Sequence, residues 1–183
     1  MTGKNLFLKK REVNTKRILW YTQNMKIIIV CVGKIKEQYL KDAISEYSKR
    51  LSKYCSLNIL ELPDEQVPNN LSDKLCENIK QVESSNIISH FKKDSYIICL
   101  DLNGKQYTSE EFSQKLDSIA LNYNSNITFV IGGTLGMSKE LLNRSNELIC
   151  FSKMTFPHQL IRVFLLEQIF RAFKISNHET YHR

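Results

Sequence analysis

The chain has 183 residues, 42% of them hydrophobic, a length and apolar content that support one domain with a sizeable core and leave little room for two. No apolar run of roughly 18 residues occurs: the richest stretch, Leu160 to Phe173, is broken by Arg162, Glu167, Gln168 and Arg171, so a spanning helix is excluded and a soluble, cytoplasmic protein is expected. The formal charge is +7, but residues 1–24 carry six basic side chains against Glu12 alone, which leaves only +2 on residues 25–183 and makes global basicity a weak argument for nucleic acid.

Residues 1–24 follow neither a helical nor a strand period and hold the sole tryptophan, Trp20. They read as a basic extension, with a leader preferred over a targeting segment or an RNA-touching arm; their apolar patches are too short for a secretory signal. Met25 opens the run MKIIIVCVGK, which predicts a buried first strand over Lys26 to Val32 and a turn at Gly33. An amphipathic helix is predicted near Glu37 to Tyr54, a strand over Leu57 to Leu62, breakers at Pro63 and Pro68, and a helix over Leu71 to Phe91. Strand Tyr96 to Leu102 is expected to end in an Asn103-Gly104 turn, with Thr108 or Ser109 capping the next helix and Glu111 in its first turn. Strand Thr128 to Ile131 then enters the Gly132-Gly133 loop, a short helix covers Ser138 to Arg144, and strand Glu147 to Phe151 leads into the last helix, with Pro157 in its first turn.

This alternation predicts an α/β fold, a largely parallel sheet with helices on both faces, built as a single domain over residues 25–183. Ligands of such sheets sit at the carboxyl ends of strands, which singles out the loops Asp101 to Gly104, Gly132 to Met137 and Ser152 to Phe156. The last helix is apolar at Leu160, Ile161, Val163, Phe164, Leu165, Leu166, Ile169, Phe170, Ala172 and Phe173, far wider than a surface helix requires, and a second subunit is the favoured cover for its outer side. Arg162, Glu167 and Arg171 read either as a structural ion-pair set or as substrate contacts.

Several chemistries find no support. The five cysteines are dispersed, with no CxxC pair, and read as buried, reduced core residues. Gly132, Gly133 and Gly136 fit neither G-x-G-x-x-G nor a Walker loop, and no G-x-S-x-G occurs. His178 and His182 lack a third ligand, so no metal is expected. The polar tail from Asn177 to Arg183, dense in titratable and stacking groups, is read as folding over a substrate.

The strand-end glycine pair, the string FSKMTFPHQLIRVFLLEQIFRAFKI, the Tyr181-His182 pair near the terminus, the opening MKIIIVCVGK and the LPDE at Leu62 to Glu65 closely resemble the ribosomal large subunit methyltransferase H (RlmH) family of the SPOUT superfamily. The likeness runs from Met25 to Arg183. It implies a trefoil-knotted SPOUT fold, a homodimer closed over the knots, and methyl transfer from S-adenosylmethionine to N3 of a pseudouridine in 23S rRNA on the assembled ribosome. It places cofactor contacts at Leu100, Gly132, Phe151, Ser152, Lys153, Met154, Thr155 and Phe156. Thr134-Leu135 and Thr180 depart from the family pattern without touching those positions. For proton removal from the acceptor, His182 and Tyr181 are the candidate catalytic groups, with Arg162 and Arg183 as candidate contacts to RNA phosphate. The competing readings are a SPOUT enzyme acting on another RNA position, a non-catalytic ribosome-binding dimer, and, least favoured, a redox or metal protein built on the cysteines.

Overall fold

The computed structural model describes residues 25–123 and 125–181 of the chain. Residues 1–24, His182 and Arg183 lie outside the described residues, and so do the expectations placed on them. Five strands and five helices alternate: β1 (Lys26–Val32), α1 (Gln38–Leu51), β2 (Ser56–Leu62), α2 (Asp73–Ser89), β3 (Tyr96–Lys105), α3 (Ser109–Asn122), β4 (Asn126–Ile131), α4 (Lys139–Arg144), β5 (Glu147–Ile149) and α5 (His158–Ser176). The strands form one all-parallel sheet in the order β2-β1-β4-β3-β5.

The unbroken apolar run of β1 is explained by its central place, because alternate side chains feed opposite cores. Ile27, Ile29 and Cys31 join Leu51 of α1, Phe112 and Leu116 of α3 and Leu165, Leu166 and Ile169 of α5. Ile28, Val30 and Val32 join Ile87 of α2 and Leu141 of α4. Each fully buried branched side chain contributes about 1.5–3 kcal/mol over exposure, so this strand anchors both layers.

Local chemistry sets the helix ends. Thr108 and Glu111 form a reciprocal capping box at the start of α3, with Glu111 N–H donating to Thr108 Oγ1 at 3.2 Å and Thr108 N–H to Glu111 Oε2 at 2.8 Å. Ser72 caps α2 and Ser138 caps α4 in the same one-sided way. Pro157 sits one residue earlier than expected, at the N-cap of α5, where its carbonyl accepts from Leu160 and Ile161.

Two expectations need correction. Asn103-Gly104 is not a turn: β3 continues to Lys105, and both Leu100 and Lys105 align with Ile149 of β5 across a register break. A Cβ on residue 104 would stand 2.5 Å from the Ile149 carbonyl carbon, so glycine is needed because two backbones touch there. Of the cysteines, Cys31, Cys55, Cys99 and Cys150 are buried, but Cys76 is only partly so. Burial pushes the Cys55 and Cys99 thiols up to about 12, which leaves them inert at neutral pH.

Candidate functional site

The three loops singled out by the strand order converge. A cavity of about 470 Å³ opens at the carboxyl ends of β3, β4 and β5, lined by residues 100–103, by 131–134 with 136 and 137, and by 149–152 with 154–158 and Ile161. Its wall is mostly apolar, with Leu100, Ile131, Met137, Ile149, Phe151 and Ile161 contributing side chains. Asp101 is the sole carboxylate among the lining residues. Its Oδ1 accepts from the N–H and the side-chain amide of Asn103, at 2.8 and 3.1 Å, which fixes the bulge of β3 that forms the rim. On the opposite side the Cys150 thiol donates to the Ser152 carbonyl and Ser152 Oγ accepts from Met154 N–H at 3.0 Å, so the 150–154 segment holds its own shape.

Of the cofactor contacts expected from the sequence, Leu100, Gly132, Phe151, Ser152, Met154, Thr155 and Phe156 all line this cavity; Lys153 is exposed and stands outside the lining. His158 and Ile161 were not singled out. They arrive from the first turn of α5, whose apolar period hides a wall residue among core residues.

His158 is shared with a second, smaller cavity, and burial followed by the nearby Arg162 charge lowers its pKa, with Asp64 opposing. It is a neutral imidazole at pH 7.

Arg162 goes elsewhere than expected. It is 1% exposed; Nη1 donates to Glu61 at 2.8 Å, and Nη2 donates to the carbonyls of Val32 and Gly33 at 2.8 and 2.7 Å. The guanidinium ties α5 to the carboxyl ends of β1 and β2 and is not presented to a phosphate. Glu167 and Arg171 form the ion pair foreseen as structural, at 2.7 Å. Tyr181 packs against Phe170 and under the Arg171 guanidinium, donates its hydroxyl to Glu167, and lies outside the lining of the cavity in its own chain. Burial, then the Glu167 contact, pushes its phenol up to about 12. The tail before it is pinned to the body: Glu179 accepts from Tyr54 at 2.8 Å and pairs with Lys174 at 2.5 Å.

Among the described residues no group of three His, Cys, Asp or Glu side chains is placed to hold a metal ion, and no helix is long and apolar enough to cross a membrane.

The cavity's place in the sheet meets its match in comparisons with known proteins. The family model described as "Predicted SPOUT methyltransferase" matches residues 25–182, a span that contains every loop of the cavity. The chain belongs to the SPOUT methyltransferase family. Within that family it is 59% identical over 159 residues, 87% of this chain and 100% of the other, to the "Ribosomal RNA large subunit methyltransferase H" of Clostridium novyi (strain NT). It is 55% identical over the same shares to the protein of that name from Clostridium beijerinckii (strain ATCC 51743 / NCIMB 8052). Among solved structures, the Aquifex protein titled "A. aeolicus TrmH/SpoU tRNA modifying enzyme" aligns with a TM-score of 0.48 at 13% identity, covering 91% of this chain and 85% of that one. SPOUT membership makes the chain an α/β methyltransferase and implies a methyl donor. The cavity fits such a donor: it is concave, lined by loop segments, walled by apolar side chains and furnished with one carboxylate for a polar or cationic group.

Proposed function

We propose that this chain transfers a methyl group from S-adenosylmethionine to N3 of a pseudouridine in 23S rRNA, on the assembled ribosome, as a cytoplasmic homodimer. The observation that carries the proposal is the 59% identity to a ribosomal RNA large subunit methyltransferase H over that relative's whole length.

Bound in the larger cavity, S-adenosylmethionine would supply an electrophilic methyl that already carries its leaving group. The residues that would hold it are Leu100, Gly132, Phe151, Ser152, Met154, Thr155 and Phe156, joined by Asp101, Gly133 and Pro157, with Lys153 beside them at the surface. The chain's own work is then alignment, exclusion of water and removal of the acceptor's proton. N3–H lies between two carbonyls, so a modest base suffices. His182 is the better candidate for that base, since the Tyr181 phenol keeps its proton at neutral pH; Tyr181 then serves to place the end of the tail. Arg162 supports the site from behind by holding the ends of β1 and β2.

The homodimer and the trefoil knot belong to the same reading. Supporting the dimer, Met154 is 73% exposed and Phe156 and Phe164, partly exposed, meet edge to face at 5.3 Å. This apolar rim borders a further recess of about 360 Å³ between the start of α3 and α5, a surface that a second copy would cover. Residues 1–24 are dispensable in this reading.

The test is transfer of label from S-adenosylmethionine by the full chain to ribosomes that carry the pseudouridine without its methyl. Label at N3 of that nucleotide is the expected result. Label at another RNA position would reassign the substrate, and binding of ribosomes without any transfer would leave a non-catalytic dimer.

A further inference from the structure

Behind the wall of the larger cavity lies a second one, of about 240 Å³, that no step above uses. It is bounded by Val32 at the end of β1, by residues 64–67 after β2, by Glu83 of α2, and by residues 133–135 and His158. The two cavities share Gly133, Thr134 and His158. Three carboxylates line the smaller one and no lysine or arginine does, so it suits N–H donors and repels phosphate.

Glu83 is the anomaly. It is only 6% exposed; its Oε1 accepts from the Glu65 N–H at 3.0 Å, while Oε2 is buried without any hydrogen-bond partner. Buried acceptors are almost always paired, so an orphaned carboxylate oxygen in a cavity wall calls for a donor from outside the chain. A Cβ on residue 133 would stand 2.5 Å from that oxygen, which places the oxygen hard against the partition between the two cavities. A cation is not the natural occupant, because no three metal-ligating side chains are grouped here among the described residues.

The acceptor base has the matching donor. In pseudouridine the sugar hangs from C5, so when N3 faces the methyl donor the flank away from the sugar presents a free N1–H. Uridine has its sugar on N1 and offers only C–H at the corresponding flank. We propose that the smaller cavity receives the N1–H edge of the acceptor base, with the Glu83 and Asp64 carboxylates as acceptors, and so selects pseudouridine over uridine. The inference rests on the function proposed above. Glu83 and Asp64 act as specificity-determining residues, and no bond is made or broken at them. A site built to bond a substrate N–H rejects an analogue that lacks it far more strongly than an apolar pocket rejects a change of size.

The test measures kcat/KM for the full-length protein on two ribosome preparations, both unmethylated, one carrying pseudouridine and the other uridine at the target position. Wild type should prefer pseudouridine strongly. Glu83→Gln, which keeps an oxygen for the Glu65 N–H, and Asp64→Asn, at an exposed position, should each lower kcat/KM on pseudouridine by about 10-fold or more, leave uridine within about twofold, and leave S-adenosylmethionine affinity unchanged. Should Glu83→Gln not fold, Asp64→Asn alone decides. Equal losses on both substrates, no loss on either, or a wild type that treats the two alike would overturn the assignment while leaving the proposed function standing. A wild type that labels neither would sink that function and this inference with it.

Discussion

Replacing Arg162 by methionine separates a structural guanidinium from an RNA-binding one. The change keeps most of the side-chain volume, so little cavity term enters, and the loss reports the polar contacts. Two buried carbonyls, of Val32 and Gly33, lose their donors, at about 1–3 kcal/mol each. The Glu61 carboxylate, 34% exposed, is partly rescued by water and adds little. The total is about 4 kcal/mol, in the range of about 3–5 kcal/mol found when one member of a buried ion pair is removed. For a domain of this size that is a fall of roughly 10 °C in Tm. Urea and thermal unfolding at fixed protein concentration would measure it, since a dimer's stability depends on concentration. A loss below about 1 kcal/mol, accompanied by a selective, salt-dependent weakening of ribosome binding, would refute the reasoning and return Arg162 to the RNA.

Gly104→Ala should force β3 away from the Ile149 backbone, costing about 3 kcal/mol and weakening S-adenosylmethionine binding, read by denaturation and titration calorimetry; the clash at 2.5 Å is with main chain that cannot rotate aside. Phe164→Glu puts a charge on the apolar rim and should shift the protein toward monomer by light scattering, with the monomer's secondary structure intact. His158 supplies the pH test. Its folded pKa is lowered, by burial first and Arg162 second, so the unfolded chain binds the extra proton and stability is lost as pH falls below the unfolded value of about 6.5. Unfolding of His158→Asn followed from pH 7.5 to 5.5 should show that slope reduced relative to wild type.

Much of the fold was legible because its signals are local. The run from Ile27 to Val32 carries no polar interruption, which only a strand covered on both faces tolerates, and Thr108 with Glu111 spells a capping box within four residues. The loops of the site were legible for a topological reason, since parallel strands leave their carboxyl ends open. What escaped depends on partners distant in sequence. Asn103-Gly104 has turn chemistry, and only the approach of Ile149 turns it into a paired, bulged strand. Arg162 interrupts an apolar helix as a surface residue would, and its burial follows from carbonyls of β1 that point at it from across the fold. Glu83 reads as a solvated position of a polar helix until the loop at Gly133 closes over it.

The cavity walls come from the ends of β3, β4 and β5, and its last wall, 149–161, lies in the final part of the chain. A polypeptide emerging from the ribosome therefore has β1 to β3 in hand well before the surface that closes the donor site exists. Its contacts are of high sequence separation, which makes completion of this region a late and slow event. A nascent copy cannot capture the methyl donor while it is still short of α5. An enzyme proposed to act only on finished ribosomes would thus remain inert until its own synthesis is nearly complete.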